Sequence, residues 1–197
     1  MKTYALIILA AAALFLGACK KNESYDNTAT STTSTSMTDT SSTTTTTGTA
    51  ATTLSKDDQD FAMKAAQGNM AEVSGGTMAS TKGTSPDVKN FGNRMVNDHG
   101  KALDELKQLA QTKGITLPTD VSDEQKAEAD KLSKLSGKDF DKAYADGMVK
   151  DHEKDVAEFD KASKNAQDPD LKAWAAKVLP IIQDHLKMAK EMKSKVK

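Results

Sequence analysis

The sequence predicts an all-α protein: a four-helix bundle with one long crossover that carries a short extra helix. Three observations predict it. Helix-start and helix-stop residues mark out four long segments of about 25–29 residues, hence roughly 40 Å each. Apolar residues within those segments recur every three or four positions, and no stretch alternates in the manner of a strand. The joints inside the first and second pairs of long segments are only a few residues, so each pair is an antiparallel hairpin. The link between the pairs, from Lys113 to Ser136, is long enough to be a crossover, as in ferritin-like bundles.

The first residues read as a leader. Met1-Lys2-Thr3 is a short positive start, and Tyr4 to Phe15 is an apolar run too short to span a bilayer comfortably. Leu16-Gly17-Ala18-Cys19 follows, with small residues before the cysteine, so residues 1–18 read as a secretory signal peptide. The Leu-Gly-Ala-Cys ending resembles the lipobox of bacterial lipoproteins, which implies cleavage before Cys19 and lipidation of it. Several acyl chains on one residue hold a protein to a membrane stably, where a single chain is marginal. Lys20, in place of an Asp after the cysteine, resembles lipoproteins sent to the outer membrane of a two-membrane cell. The expected location is therefore exported, on the outer membrane, facing the periplasm, with the membrane as a partner through the anchor. An ordinary signal peptide followed by a free cysteine is the alternative. Cys19 is the single cysteine, which excludes an intrachain disulfide and a cysteine-based zinc site.

Residues 19–54 read as the lipidated cysteine and a tether. Asn27 to Leu54 is mostly Thr and Ser, with a pure threonine run from Thr43 to Thr47. So few apolar residues cannot offset chain entropy, and the segment is expected to be a disordered spacer reaching roughly 30–35 Å. Glycosylation of its hydroxyls is the other reading.

Residues 55–197 read as the bundle. Ser55, with Asp58 three residues on, opens the first helix, which runs to Thr81 or Lys82 before Gly83. Ser85-Pro86 opens the second, since proline fits the first helical position; Gly114 closes it after Lys113. Ser122-Asp123-Glu124-Gln125 is a capping box that opens the short helix within the crossover. The third long helix starts near Ser136-Gly137 and ends about Ala166, and Asp168-Pro169 opens the last.

The expected buried stripes are Val88, Phe91, Met95, Ala102, Leu106 and Leu109 in the second helix, and Phe140, Tyr144, Met148, Val156 and Phe159 in the third long one. In the last helix they are Leu171, Trp174, Val178, Ile181, Met188 and Met192. The first helix is weaker: Phe61, Ala65, Val73 and Ala79 are interrupted by Gly68, Gly75 and Gly76. A Gly-Gly pair inside a helix costs stability unless a neighbouring helix approaches closely there. Pro180 is expected to kink the last helix and free a carbonyl one turn back.

Charge excludes some functions. The formal net charge is −1, acidic and basic residues are interspersed, and Arg94 is the lone arginine, so no nucleic-acid surface is expected. No serine elbow accompanies any His-Asp pair, and adjacent helical residues do not face each other. No catalytic residue is assigned, and an enzymatic role is not expected.

All three histidines follow an aspartate: Asp98-His99, Asp151-His152 and Asp184-His185. Each histidine fills a gap in its own apolar stripe. His99 is four after Met95, His152 four after Met148, and His185 four after Ile181. All three are therefore expected to face the interior, with Asp98, Asp151 and Asp184 rotated about 100° toward the interface edges, where they are candidates to support the histidines. Counted from their turns, Glu72, His99, His152 and His185 all fall near mid-bundle, and they coincide best if the two hairpin turns lie at opposite ends.

One carboxylate and three imidazoles in a bundle core are a candidate site for a single transition-metal ion: zinc, iron, manganese or copper. The alternative is a structural or stress-related envelope protein without metal, whose core histidines serve packing and hydrogen bonding. The Glu-x-x-His word of di-iron bundles is absent, because Val96, Val149 and Ile182 occupy the position three before each histidine. Met95, Met148 and Met188, each one turn from a histidine, read as core filler or as soft donors for Cu(I).

These words also carry a family resemblance. Asp60-Phe61, Asn69-Met70-Ala71-Glu72-Val73, Val88-Lys89-Asn90-Phe91-Gly92, Met95-Val96-Asn97-Asp98-His99, Met148-Val149-Lys150-Asp151-His152 and Leu179-Pro180 with His185 are similar to domain-of-unknown-function family 4142. The resemblance covers roughly residues 56–193. It implies a ferritin-like bundle in exported bacterial proteins with no assigned reaction. Ser74-Gly75-Gly76 departs from the Leu-Gly expected after the glutamate and valine.

Overall fold

The caps set the helices. In the computed structural model, which describes residues 54–196, the elements are α1 (Lys56–Lys82), α2 (Pro86–Lys113), α3 (Asp123–Ser133), α4 (Gly137–Asn165) and α5 (Pro169–Lys195). Residues 1–53, which hold the expected leader, Cys19 and most of the expected tether, lie outside the described residues. Ser55 Oγ accepts from the amide of Asp58, Ser122 and Gln125 form the full capping box, and Asp168 accepts from the amides of Asp170 and Leu171. Gly114 closes α2 at φ 67°, the left-handed conformation that suits glycine. No strand occurs among the described residues, and none of the described helices is long and apolar enough to cross a membrane.

The start of α2 is capped from elsewhere. The Ser85 side chain makes no capping bond; buried Asp141 of α4 accepts from the amides of Thr84 and Ser85 and from the Thr84 hydroxyl. At the other hairpin, buried Asp58 of α1 accepts from the amides of Gln167 and Asp168. Each hairpin thus lends an aspartate from its opening turn to the other hairpin's joint. Because Asp58 stands at the beginning of α1, the α4–α5 joint lies at the opposite end from the α1–α2 joint. Lys113, at the end of α2, bonds Asp168 at 2.7 Å and Asp170 at 2.6 Å at the start of α5. The chain therefore leaves α2 at one end and crosses the bundle's length to reach α4. Along the way α3 ends beside α1, where Lys82 donates to the Ser133 carbonyl. This is the crossover bundle that the short and long links predict.

Two helix pairs, α1 with α2 and α4 with α5, make the most extensive contacts, and α2–α5 and α1–α4 contacts join them. α1 buries a face of small and polar residues: Ala62, Ala65, Ala66, Asn69, Glu72, Gly75, Gly76 and Ala79. That face lets α2 approach closely. A Cβ on Gly76 would stand 2.6 Å from the Gly92 carbonyl, and one on Gly92 would stand 2.6 Å from the Gly76 carbonyl. Gly75, by contrast, would meet only the Tyr144 ring at an ordinary 3.8 Å.

Several expected core positions shift. Ile181 is exposed at 37% and Ile182 is buried at 2%, because the inward stripe of α5 passes through Val178, Ile182, His185 and Ala189. Phe61, Val73, Leu109, Val156 and Met188 are half-buried. Phe61 still packs edge-on to Phe159, with ring centroids 5.2 Å apart, and near Trp174. α5 continues through Pro180, and the carbonyl left without its amide partner belongs to exposed Ala176.

The core is divided in two. One apolar cluster holds Ala62, Ala66, Leu106, Phe159, Leu171, Trp174 and Ile182; the other holds Val88, Phe91, Met95, Phe140, Tyr144, Met148 and Ala189. On each long helix the polar residue at mid-length falls between them: Asn69 and Glu72, His99, His152 and His185.

Candidate metal centre

The helical period turns His99, His152 and His185 inward from α2, α4 and α5, as their stripes predict, and their burial is nearly complete. The rings meet pairwise with centroids 5.2–5.6 Å apart, and one ring nitrogen from each lies within 4.8 Å of one from each of the others. Three imidazoles from three helices therefore converge on one point.

Each ring is held at one nitrogen. His99 Nδ1 lies 2.9 Å from Asn69 Oδ1, and the Asn69 amide is itself oriented by its Nδ2 donating to the Ala65 carbonyl at 2.7 Å. His152 Nδ1 donates to the Met148 carbonyl at 2.9 Å, and His185 Nε2 donates to Asp98 Oδ2 at 2.9 Å. Every one of these partners is an acceptor, so the bonded nitrogen carries the proton and the other is left with a lone pair. Those others, His99 Nε2, His152 Nε2 and His185 Nδ1, are buried with no hydrogen-bond partner among the described residues. One held N–H and one free lone pair on each ring is the arrangement by which outer contacts orient metal-ligating histidines.

The electrostatics keep the rings neutral. Burial, then the neighbouring imidazoles His152 and His185, hold His99 well below the usual histidine range. Burial and His185 bring His152 down to about 4. Burial lowers His185 too, against the pull of Asp98. Asp98 is opposed by burial but held low by hydrogen bonds from His185 and from Arg94 at 2.6 Å. Asp98 and His185 thus do not both follow the ion-pair pattern. With Arg94 already facing it, Asp98 stays ionised beside a neutral His185.

Glu72 sits at the predicted level but outside the nitrogen cluster. Its Oε1 is 3.9 Å from His152 Nδ1, the nitrogen already given to Met148, and its Oε2 has no partner among the described residues. Burial, then the charges of Asp155 and Asp151, push its carboxyl well above the usual range. Of the three aspartates, Asp98 supports a histidine, but the one on α5 and not its chain neighbour. Asp184 reaches the site through Arg94 at 3.4 Å, and half-buried Asp151 faces Glu72 and the α3 carboxylates. Asn69 is the residue that reading the sequence missed; its signal is its place on the buried stripe of α1, four after Ala65 and three before Glu72.

A family model described as a domain of unknown function, DUF4142, matches residues 43–192. The chain belongs to this family. No curated protein matches the DUF4142 chain. Among solved structures, its fold is similar to a DUF305 fragment from Deinococcus radiodurans (TM-score 0.64, 12% identity, covering 72% of this chain and 98% of that one). It is also similar to CopM in its Cu(I)-bound form, with TM-score 0.59, 17% identity and coverage of 70% and 95%. The Cu(II)-bound form of CopM gives 0.56, 16%, 70% and 95%. At these identities the likeness is one of fold.

Proposed function

We propose that this DUF4142 domain binds one transition-metal ion through His99 Nε2, His152 Nε2 and His185 Nδ1, in a protein anchored at the outer membrane through Cys19 and facing the periplasm. The observation that carries the reading is the set of three buried lone pairs without partners. Three acceptors facing one another cannot satisfy each other, and each costs about 1–3 kcal/mol when left unmade. A cation shared between them removes all three deficits. The three nitrogens, all within 4.8 Å of one another, would hold the ion between them.

Copper in its monovalent state suits the donors best. Imidazole suits copper as it does zinc, iron and nickel, and no carboxylate joins the ligand set to offset a second charge buried from water, which favours the monovalent ion. CopM, similar in fold, is known in copper-bound forms. Glu72 lies on the bonded side of His152 and is not among the proposed ligands.

Titrating the protein separately with Cu(I), Zn(II), Fe(II) and Mn(II), followed by desalting and elemental analysis, tests this. One tightly held copper per chain is expected. A protein that retains none of the four ions would leave packing as the histidines' role. The anchor is checked by palmitate labelling in a two-membrane bacterial host: label is expected on the wild type and absent from Cys19→Ser. An unlabelled wild type would sink it.

A further inference from the structure

The imidazole cluster is sealed within the bundle, so an ion needs a way in. A cleft of about 100 Å³ opens between α2 and α5, lined by Asp87, Phe91, Met188, Glu191 and Met192 among others. Its floor and the site share a residue. The Phe91 ring, 2% exposed, lies edge-on to His152 at 6.1 Å and to His185 at 6.4 Å between centroids. Met188 and Met192 continue the stripe of His185 along α5, three and seven residues beyond it, or roughly 4.5 and 10.5 Å along the axis. Thioether, thioether and imidazole therefore follow one another in steps of about one helical turn. At the mouth stand two carboxylates, one of which, Asp87, is paired with Lys195 at 3.2 Å.

We propose that this cleft is the loading route for a soft monovalent cation, copper(I), with Met192 and Met188 as successive thioether stations and Phe91 as the ring that must move for the ion to pass. The proposal rests on the reading of the three histidines as a metal site. Thioethers bind Cu(I) well and hard divalent ions poorly, so the route also selects among ions. Each transfer is ligand exchange at constant oxidation state. A copper–sulfur bond breaks as the next copper–sulfur or copper–nitrogen bond forms, and no electron or proton is moved, because the receiving imidazole nitrogens already carry lone pairs.

The test is the rate at which the full-length protein takes Cu(I) from a weak chromophoric chelator in oxygen-free buffer. Leucine conserves the volume of methionine, so Met188→Leu with Met192→Leu is expected to fold and to reach the same stoichiometry and equilibrium affinity as wild type. Its loading rate is expected to fall about tenfold. Met188→Leu alone, at a half-buried position, gives a smaller fall in a variant with little risk to the fold. An unchanged rate in both variants overturns the route. So does an affinity that falls in step with the rate, since the sulfurs would then be ligands of the resting site. If the wild type takes up no Cu(I), the histidine site itself fails along with the route; copper binding at an unaltered rate removes the route alone.

Discussion

Replacing His152 with leucine is expected to leave the metal-free bundle at least as stable as wild type while abolishing its stabilisation by metal. His152 is fully buried, and its Nε2 has no partner among the described residues. A leucine of similar bulk removes that stranded acceptor, keeps contact with Phe91, and gives up one bond to the Met148 carbonyl, which as a helical carbonyl also accepts a main-chain amide. The balance favours the variant by about 1 kcal/mol. Metal changes the order. An ion present at a thousandfold above its dissociation constant stabilises the wild type by about 4 kcal/mol, or on the order of 10 °C in Tm for a domain of this size. With one of three ligands gone, the variant is expected to show little or none of that shift. Thermal melts of both proteins with and without Cu(I) check it. A packing histidine predicts the reverse: a variant destabilised by more than about 2 kcal/mol, with a wild type indifferent to metal.

The expectation that the histidines face inward came from their spacing within each stripe, and their burial agrees with it. Local chemistry made most of the fold legible in the same way. Ser55, Pro86, Gly114 and the Ser122–Gln125 box each act within a few residues, so the helix limits followed from them. Gly76 announced a close approach because a helix interior gives glycine no other advantage, and its partner proved to be Gly92.

What was not legible depends on how helices cross. Leu179-Pro180-Ile181-Ile182 is apolar in too many directions to show which isoleucine turns inward, and the packing of α5 selects Ile182. Asn69 reads as a surface residue until His99 is placed opposite it. Glu72 shares the histidines' level along the axis, yet level is not direction, and its carboxyl meets the bonded side of His152. Asp98 supports His185, 87 residues away, because α2 and α5 touch there.

Asparagine at Asp155 is expected to stabilise the protein at pH 8 and to change it little near pH 4. Asp155 lies on α4, three residues after His152 and one turn from Asp151, and it is partly buried. Burial, then the charges of Glu158 and Asp151, raise its carboxyl to about 7. In the unfolded chain the same group releases its proton near 3.9. Between those values the folded state holds a proton that the unfolded state has lost, so stability falls as the pH rises through this window. Roughly three pH units at about 1.4 kcal/mol each give an upper bound of about 4 kcal/mol. Solvent screening of the partly exposed side chain brings this to about 2–3 kcal/mol. The advantage of the stability conferred by the protonated form is complete below about pH 4 and gone above about pH 7, and asparagine, neutral throughout, keeps it. Glu72 is shifted in the same direction, in part by the charge of Asp155, so the difference between variant and wild type reports Asp155 together with its coupling to Glu72. Chemical denaturation at pH 4.5 and pH 8 measures that difference. A difference that stays flat across the window, or an asparagine variant weaker than wild type at pH 8, would show that Asp155 is ionised in the fold.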